Sequence, residues 1–190
     1  MTITQNEKIF ICPKEFYIDS LKLAKQVYES DFTPNFIVGL WRGGTPVGIA
    51  VQEYLSYKGI ETDHIAIRTS KYNNKKTDVK TKKVAVHGLD YIIRRANATD
   101  RLLLVDDVFD EGHTIKVVIE EIKKRARLNC PQIKSACVYF KPQRNDTDIT
   151  PDFYVHETNQ WLVFPHELHD LTPEEIRKHK GYEVADLLEI

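Results

Sequence analysis

The chain has only three cysteines. Cys12, Cys130 and Cys137 form no CxxC pair and leave an odd count, which excludes a disulfide framework and a zinc site and reads as reduced thiols in a cytoplasmic protein. No apolar run approaches the roughly 20 residues of a membrane span. The polar start from Met1 to Lys8 lacks the pattern of a signal peptide. Charge of one sign is also missing. The 27 Lys and Arg against 28 Asp and Glu leave a net charge of −1, so no basic field argues for nucleic acid or an anionic membrane as a partner. Two phosphate-binding signatures are absent: GxxxxGK[ST], which makes a nucleoside triphosphatase a poor reading, and a GxGxxG after the first strand, which removes the dinucleotide fingerprint. What remains is ordinary for a globular protein, with 42% hydrophobic and 29% charged residues in 190. That length suits one domain, 1–190, with a sizeable core.

Hydrophobic period orders the chain. Lys8–Cys12 reads as a short strand or extended lead-in and Pro13 suits a first helical turn. The helix to about Ser30 has Phe16, Leu21, Ala24, Val27 and Tyr28 available for a buried face. Phe36–Leu40 is a compact apolar strand, followed by a sharp loop at Trp41–Pro46. A helix from Val47 to about Tyr57 is ended by Gly59. His64–Arg68 is the next strand. From Thr69 to Lys83 the composition changes, with Lys71, Lys75, Lys76, Lys80, Lys82 and Lys83 in a stretch nearly free of apolar residues. Composition leaves two readings of 69–83, a solvated loop or a mobile cationic lid over an anionic substrate. A strand remnant and a helix over Leu89–Arg95 follow, then strands at Leu102–Val105, Ile133–Tyr139 and Asp152–Glu157. Thr172-Pro173-Glu174-Glu175 is a capping box opening a terminal helix. Strands alternating with helices predict an α/β fold with a mainly parallel central sheet flanked by helices, and a small cap from the terminal segments.

The most informative stretch is Leu102–Thr114. Four apolar residues read as a strand buried on both faces, followed by Asp106, Asp107, Asp110, a Gly112 turn and an amphipathic helix carrying Ile115, Val118, Ile119 and Ile122. Strand, glycine turn and helix start together make a phosphate seat. Carboxylates beside an anion site need other work: binding sugar hydroxyls, holding Mg²⁺ or moving a proton. Arg42-Gly43-Gly44 is a second anion-compatible loop at a strand end. Two such loops suit a ligand with two phosphate groups, such as a sugar carrying a 5′-phosphate and a 1-pyrophosphate, whose diol would meet Asp106 and Asp107.

Val105-Asp106-Asp107-Val108-Phe109-Asp110-Glu111-Gly112-His113-Thr114 resembles the phosphoribosyl pyrophosphate (PRPP) motif of type I phosphoribosyltransferases, and Leu40-Trp41-Arg42-Gly43-Gly44 their pyrophosphate loop. Tyr139-Phe140-Lys141-Pro142 and Trp161–Glu167 are similar to the base-recognition segments of the 6-oxopurine branch, the hypoxanthine and xanthine-guanine enzymes. The resemblance implies a Mg²⁺-dependent enzyme that transfers a phosphoribosyl group from PRPP to hypoxanthine, guanine or xanthine in purine salvage, working as a homodimer or homotetramer.

The resemblance also implies residue roles. Asp106 and Asp107 would bind the ribose hydroxyls, partly through Mg²⁺, and Asp110 would be the acid/base near purine N7. Glu111, Gly112, His113 and Thr114 would line the 5′-phosphate seat, although Glu111 stands where the family usually has Thr. Arg42, Gly43 and Gly44 would meet the pyrophosphate across a cis Trp41–Arg42 peptide. Lys141 would donate to the 6-oxo group, Trp161 would flank the ring and Leu162 would read the 2-position. Glu167 would join Asp106 and Asp107 near the metal. A cap from the N-terminal residues and about 142–170 would carry base recognition. Rival readings are a non-catalytic PRPP- or nucleotide-binding regulator on the same fold, and a transferase for another base.

Overall fold

The structure is a computed structural model, and it describes residues 8–72 and 83–190. These fall into two compact units, one of residues 17–159 and one of residues 8–16 with 160–190. The larger unit holds a six-stranded sheet in the order β4-β3-β2-β5-β6-β7. Its strands are β2 (Phe36–Trp41), β3 (Asp63–Tyr72), β4 (Lys83–His87), β5 (Arg101–Phe109), β6 (Gln132–Phe140) and β7 (Phe153–Glu157). All neighbours run parallel except β3 and β4, which pair antiparallel. The expected α/β class with a mainly parallel sheet is therefore borne out.

The sheet is built around β5. Leu102, Leu103, Leu104 and Val105 are all 0% exposed, as a central strand with both faces covered requires. Alternate residues serve opposite faces. Val38, Leu40, Leu102 and Leu104 join Leu89 and Ile92, near α3 (Asp90–Arg95), and Ile115, Val118 and Ile122 of α4 (His113–Ala126) in one apolar cluster. Helix α2 (Gly44–Tyr57) packs Val47, Ala50, Val51 and Leu55 inward. The feature that matters for function is the order of connection. From β2 the chain passes through α2 to β3 on one side, whereas β5 lies on the other side of β2. The boundary between β2 and β5 is thus a switch point, where open α/β sheets bind ligands at the carboxyl ends of the strands.

Several expectations need correction. Strand β5 does not stop before the acids: its ladder with β6 continues through Asp106↔Cys137 to Phe109↔Phe140, so Asp106 and Asp107 lie on the strand. Pairing of β2 to β5 ends at Gly39↔Val105, which leaves that edge of the acid pair to the loop after β2. Thr69–Tyr72, read as the start of the lid, belong to β3, and Lys83 begins β4; the lid lysines Lys75, Lys76, Lys80 and Lys82 lie outside the described residues. Helix α1 (Pro13–Glu29) buries Leu23 rather than Leu21, beside Phe16, Ser20, Ala24 and Val27, and leaves Tyr28 exposed. The cysteines are free as expected, although Cys12 is exposed.

The smaller unit pairs β1 (Lys8–Phe10) with β8 (Trp161–Val163) in parallel and adds α5 (Pro173–His179) and α6 (Tyr182–Leu187). Thr172 and Glu175 form the expected capping box. The single terminal helix of the sequence reading is two, separated at Gly181, whose φ of 103° a side chain would resist. Lys8 binds Glu175 at 2.7 Å and the Phe10 ring stacks on His179. Residues 142–159 cluster with the larger unit, so only part of the segment expected in the cap belongs to the smaller one.

Helix α1 also buries a charge. Asp19 is 6% exposed and accepts from His156 Nε2 and Lys22 Nζ, both at 2.7 Å. Burial by itself would raise its pKa, but these two partners outweigh it and hold the carboxyl below its ordinary value. A depressed pKa contributes stability that is complete above the unfolded-state value of 3.8 and is lost as pH falls through the lower folded value. Asp19→Asn is expected to lower the unfolding free energy by about 1–2 kcal/mol at pH 7. In urea unfolding as a function of pH, the gap between the two proteins should close in acid.

Candidate active site

The loop after β2 is shaped by what its backbone must touch. Trp41–Arg42 is a cis peptide. A Cβ on Gly43 would lie 1.9 Å from Asp107 Oδ2, and one on Gly44 would lie 2.2 Å from the Val105 carbonyl oxygen and 2.8 Å from Asp106 Cα. Glycine is required here by contact: the loop backbone lies directly on the acid pair of β5.

The acids themselves are held by their own chain. The Asp107 amide donates to Asp106 Oδ1 at 3.0 Å and the Val108 amide to Asp107 Oδ1 at 2.8 Å. Burial, and then the adjacent Asp107 carboxylate, push the Asp106 carboxyl well above the usual carboxylate range; the Asp107 and Gly44 amides act in the opposite direction. Two crowded carboxylates of this kind hold a proton between them or attract a cation or hydroxyl donors. Oxygen donors of this chemistry fit Mg²⁺, which one or two carboxylates usually hold while substrate phosphates and water complete the shell. Among the described residues no group of three His, Cys, Asp or Glu side chains forms a ready-made metal cage.

Beyond Phe109 the chain turns through Gly112, with φ 80°, into α4. Residues 106–115 line a cavity of about 260 Å³. Its floor includes the first turn of α4, whose unpaired amides and dipole favour an anion. A Cβ on Gly112 would meet Thr147 Oγ1 at 2.5 Å and Asn145 Oδ1 at 2.8 Å. The segment after β6 therefore packs under the seat. The Asp146 amide donates to the Glu111 carbonyl at 3.4 Å, and His113 Nε2 lies 2.8 and 2.9 Å from the two Asp146 carboxylate oxygens. Lys116 binds Asp148 at 2.7 Å.

Lys141 follows β6 directly, and its amide donates to the Phe109 carbonyl at 2.9 Å. Its side chain is 8% exposed, and its ammonium lies 3.5 Å from Asp110 Oδ2. Arg144 Nε donates to Asp110 Oδ1. The larger unit thus gathers Arg42, Gly43, Gly44, Asp106, Asp107, Asp110, Glu111, Gly112, His113, Thr114 and Lys141, eleven of the fourteen residues singled out from sequence, and adds Arg144, Asn145 and Thr147. No sequence pattern marks the additions; their contacts join positions more than thirty residues apart. Trp161, Leu162 and Glu167 belong to the smaller unit. Trp161 is 54% exposed and Leu162 is buried opposite Ile9. Glu167 Oε2 accepts from the Phe164 amide at 2.9 Å, closing a local turn. Lys180 Nζ donates to the Phe164 carbonyl at 2.6 Å, and burial lowers its pKa against the pull of Glu167.

Residues 13–171 match the family model of the phosphoribosyl transferase domain. The chain belongs to this family, as the motif resemblance implies. Among solved structures it is similar to a purine phosphoribosyltransferase from Pyrococcus horikoshii Ot3, at 30% identity and a TM-score of 0.66 over 87% of this chain and 97% of that one. A hypothetical protein from Neisseria gonorrhoeae with bound ppGpp superposes with a TM-score of 0.75 at 17% identity, covering 96% and 98%. Xanthine-guanine-hypoxanthine phosphoribosyltransferase of Helicobacter pylori gives 0.66 at 17% identity, covering 97% and 100%. No match is found among curated proteins.

The glycine contacts give a direct test. Gly44→Ala is expected to cost at least about 2 kcal/mol, because the new Cβ would run into the Val105–Asp106 backbone of β5, which cannot swing aside as a flexible side chain can. Gly59→Ala is expected to cost about 1 kcal/mol, because its φ of 81° is strained for a side chain but nothing lies within 4 Å. Chemical denaturation of both variants measures the difference.

Proposed function

We propose that this phosphoribosyltransferase moves the 5-phosphoribosyl group of PRPP to a 6-oxopurine, hypoxanthine, guanine or xanthine, in purine salvage. The observation that carries the reading is the Gly43–Gly44 backbone lying on Asp106 and Asp107 at the switch point, with a phosphate seat and the Lys141–Asp110 pair built on the same strand ends. The similarity to the Pyrococcus purine enzyme supports the purine class.

In this reading the α4 amides, with Gly112, His113 and Thr114, take the 5′-phosphate, and Arg42 with the Gly43–Gly44 backbone takes the pyrophosphate. Asp106 and Asp107 accept from the ribose 2′- and 3′-hydroxyls. They would also hold the magnesium ion, which when bound supplies positive charge against the pyrophosphate oxygens. The bond from ribose C1 to the pyrophosphate oxygen breaks with its electron pair leaving on pyrophosphate. A ring nitrogen of the purine forms the new bond to C1, and the proton that the ring gives up passes to Asp110. Lys141 donates to the 6-oxo oxygen. Adenine would present an amino donor there and meet an ammonium, so the site disfavours it. By the motif resemblance alone, Trp161 would flank the base, Leu162 would read its 2-position and Glu167 would serve near the metal.

A regulator that binds nucleotide without catalysis is the second reading, favoured by the ppGpp bound to the Neisseria protein. An acid and a lysine paired at the base position argue for chemistry instead.

With PRPP, Mg²⁺ and each base in turn, pyrophosphate release is expected with oxopurines and not with adenine, orotate or uracil. Release with none of them would overturn the enzyme reading. Asp110→Asn should lower kcat by about 10²-fold or more, as removal of a general acid/base does; full turnover in that variant would remove the assigned role.

A further inference from the structure

Asp110 stands between two cations that meet different oxygens. Oδ2 faces Lys141 Nζ at 3.5 Å, while Oδ1 accepts from Arg144 Nε. The two cations differ in surroundings: the Lys141 side chain is 8% exposed, that of Arg144 46%. Arg144 is nonetheless held in place. Its amide and that of Asn145 donate to the Lys141 carbonyl at 3.1 and 3.2 Å, forming a tight turn. Asn145 anchors the far side of that turn, with Nδ2 donating to the Ile149 carbonyl at 2.8 Å and Oδ1 accepting from Thr147 Oγ1 at 2.7 Å. Those are the groups that fill the space Gly112 leaves open under the phosphate seat.

Resting on the oxopurine reading, we propose that Arg144 is a positioning residue, which keeps the Asp110 carboxylate in place by one oxygen while the other passes from Lys141 to the base. An ammonium as buried as that of Lys141 needs a partner, and Asp110 supplies it before substrate arrives. A 6-oxo group at Lys141 takes over that role and releases Oδ2. A carboxylate with one oxygen released and nothing on the other would turn with the departing lysine. The Arg144 bond on Oδ1 prevents this, leaving Oδ2 toward the ring nitrogen that gives up its proton. Arg144 touches neither base nor ribose in this account; it acts through Asp110.

The test compares Arg144→Gln and Arg144→Lys with the wild-type protein in steady-state pyrophosphate release with its preferred oxopurine, alongside thermal unfolding. Arg144→Gln should lower kcat about 10- to 100-fold, the scale of a misplaced catalytic group, with the KM for PRPP within about threefold. Arg144→Lys, which keeps a cation near Oδ1, should recover most of the lost kcat. Because the side chain is nearly half exposed, both variants should unfold within a few degrees of the wild type. An active wild type with unchanged kcat in Arg144→Gln would overturn this inference alone. So would a rise in the KM for PRPP at constant kcat, or a loss that Arg144→Lys does not recover. A wild type inactive with every base would overturn the reading on which it rests, and this inference with it.

Discussion

Two adjacent carboxylates that follow four fully buried residues of β5 are the constraint that the larger unit is arranged around. Asp107 is 8% exposed, and four residues of zero exposure precede the pair. Such a pair is costly to bury unless hydrogen-bond donors are close, and the fold brings them from the backbone. Val108 and Asp107 supply amides from β5 itself, and Gly44 supplies one from the start of α2, where the turn after β2 ends. That loop reaches the acids because Gly43 and Gly44 have no Cβ. The approach is possible because β2 stops pairing with β5 one residue before Asp106. Glycine sequence, strand length and connection order thus converge on a single crevice.

The segment 141–149 adds a second constraint. It meets the turn after β5 at successive positions: Arg144 bonds Asp110, the Asp146 amide donates to the Glu111 carbonyl, Asn145 and Thr147 fill the space where a Gly112 Cβ would stand, and Asp146 pairs with His113. The Lys141–Asp110 end and the Gly112–His113 end of the crevice are therefore supported by one continuous stretch. Preorganised donors and charges of this kind cost no rearrangement when charge develops in a reaction.

Much of this was legible in residue pattern. The apolar run at Leu102–Val105, the Gly112 turn and the amphipathic helix after it are local signals, and each is where the sequence placed it. The cis Trp41–Arg42 peptide came through resemblance and is present. Strand β5 proved longer because an acid on a strand reads as the strand's end, whereas its amides here continue the ladder with β6. In α1 the buried face follows Leu23 because Asp19 and Ser20, polar by type, are drawn inside and rotate the face away from Leu21. Arg144 was illegible for another reason. Its bond to Asp110 spans 34 residues, and only the folded register of β5 beside β6 brings the two together.

What the β2–β5 crevice binds before any base is present decides its role most directly. Calorimetric titration of the protein with PRPP and Mg²⁺ should show one site per chain. The Asp106→Asn, Asp107→Asn double variant should bind at least about 100-fold more weakly, since the two carboxylates proposed to meet ribose and metal are gone. Equal affinity in the two proteins, with both folded, would contradict the assignment of the crevice.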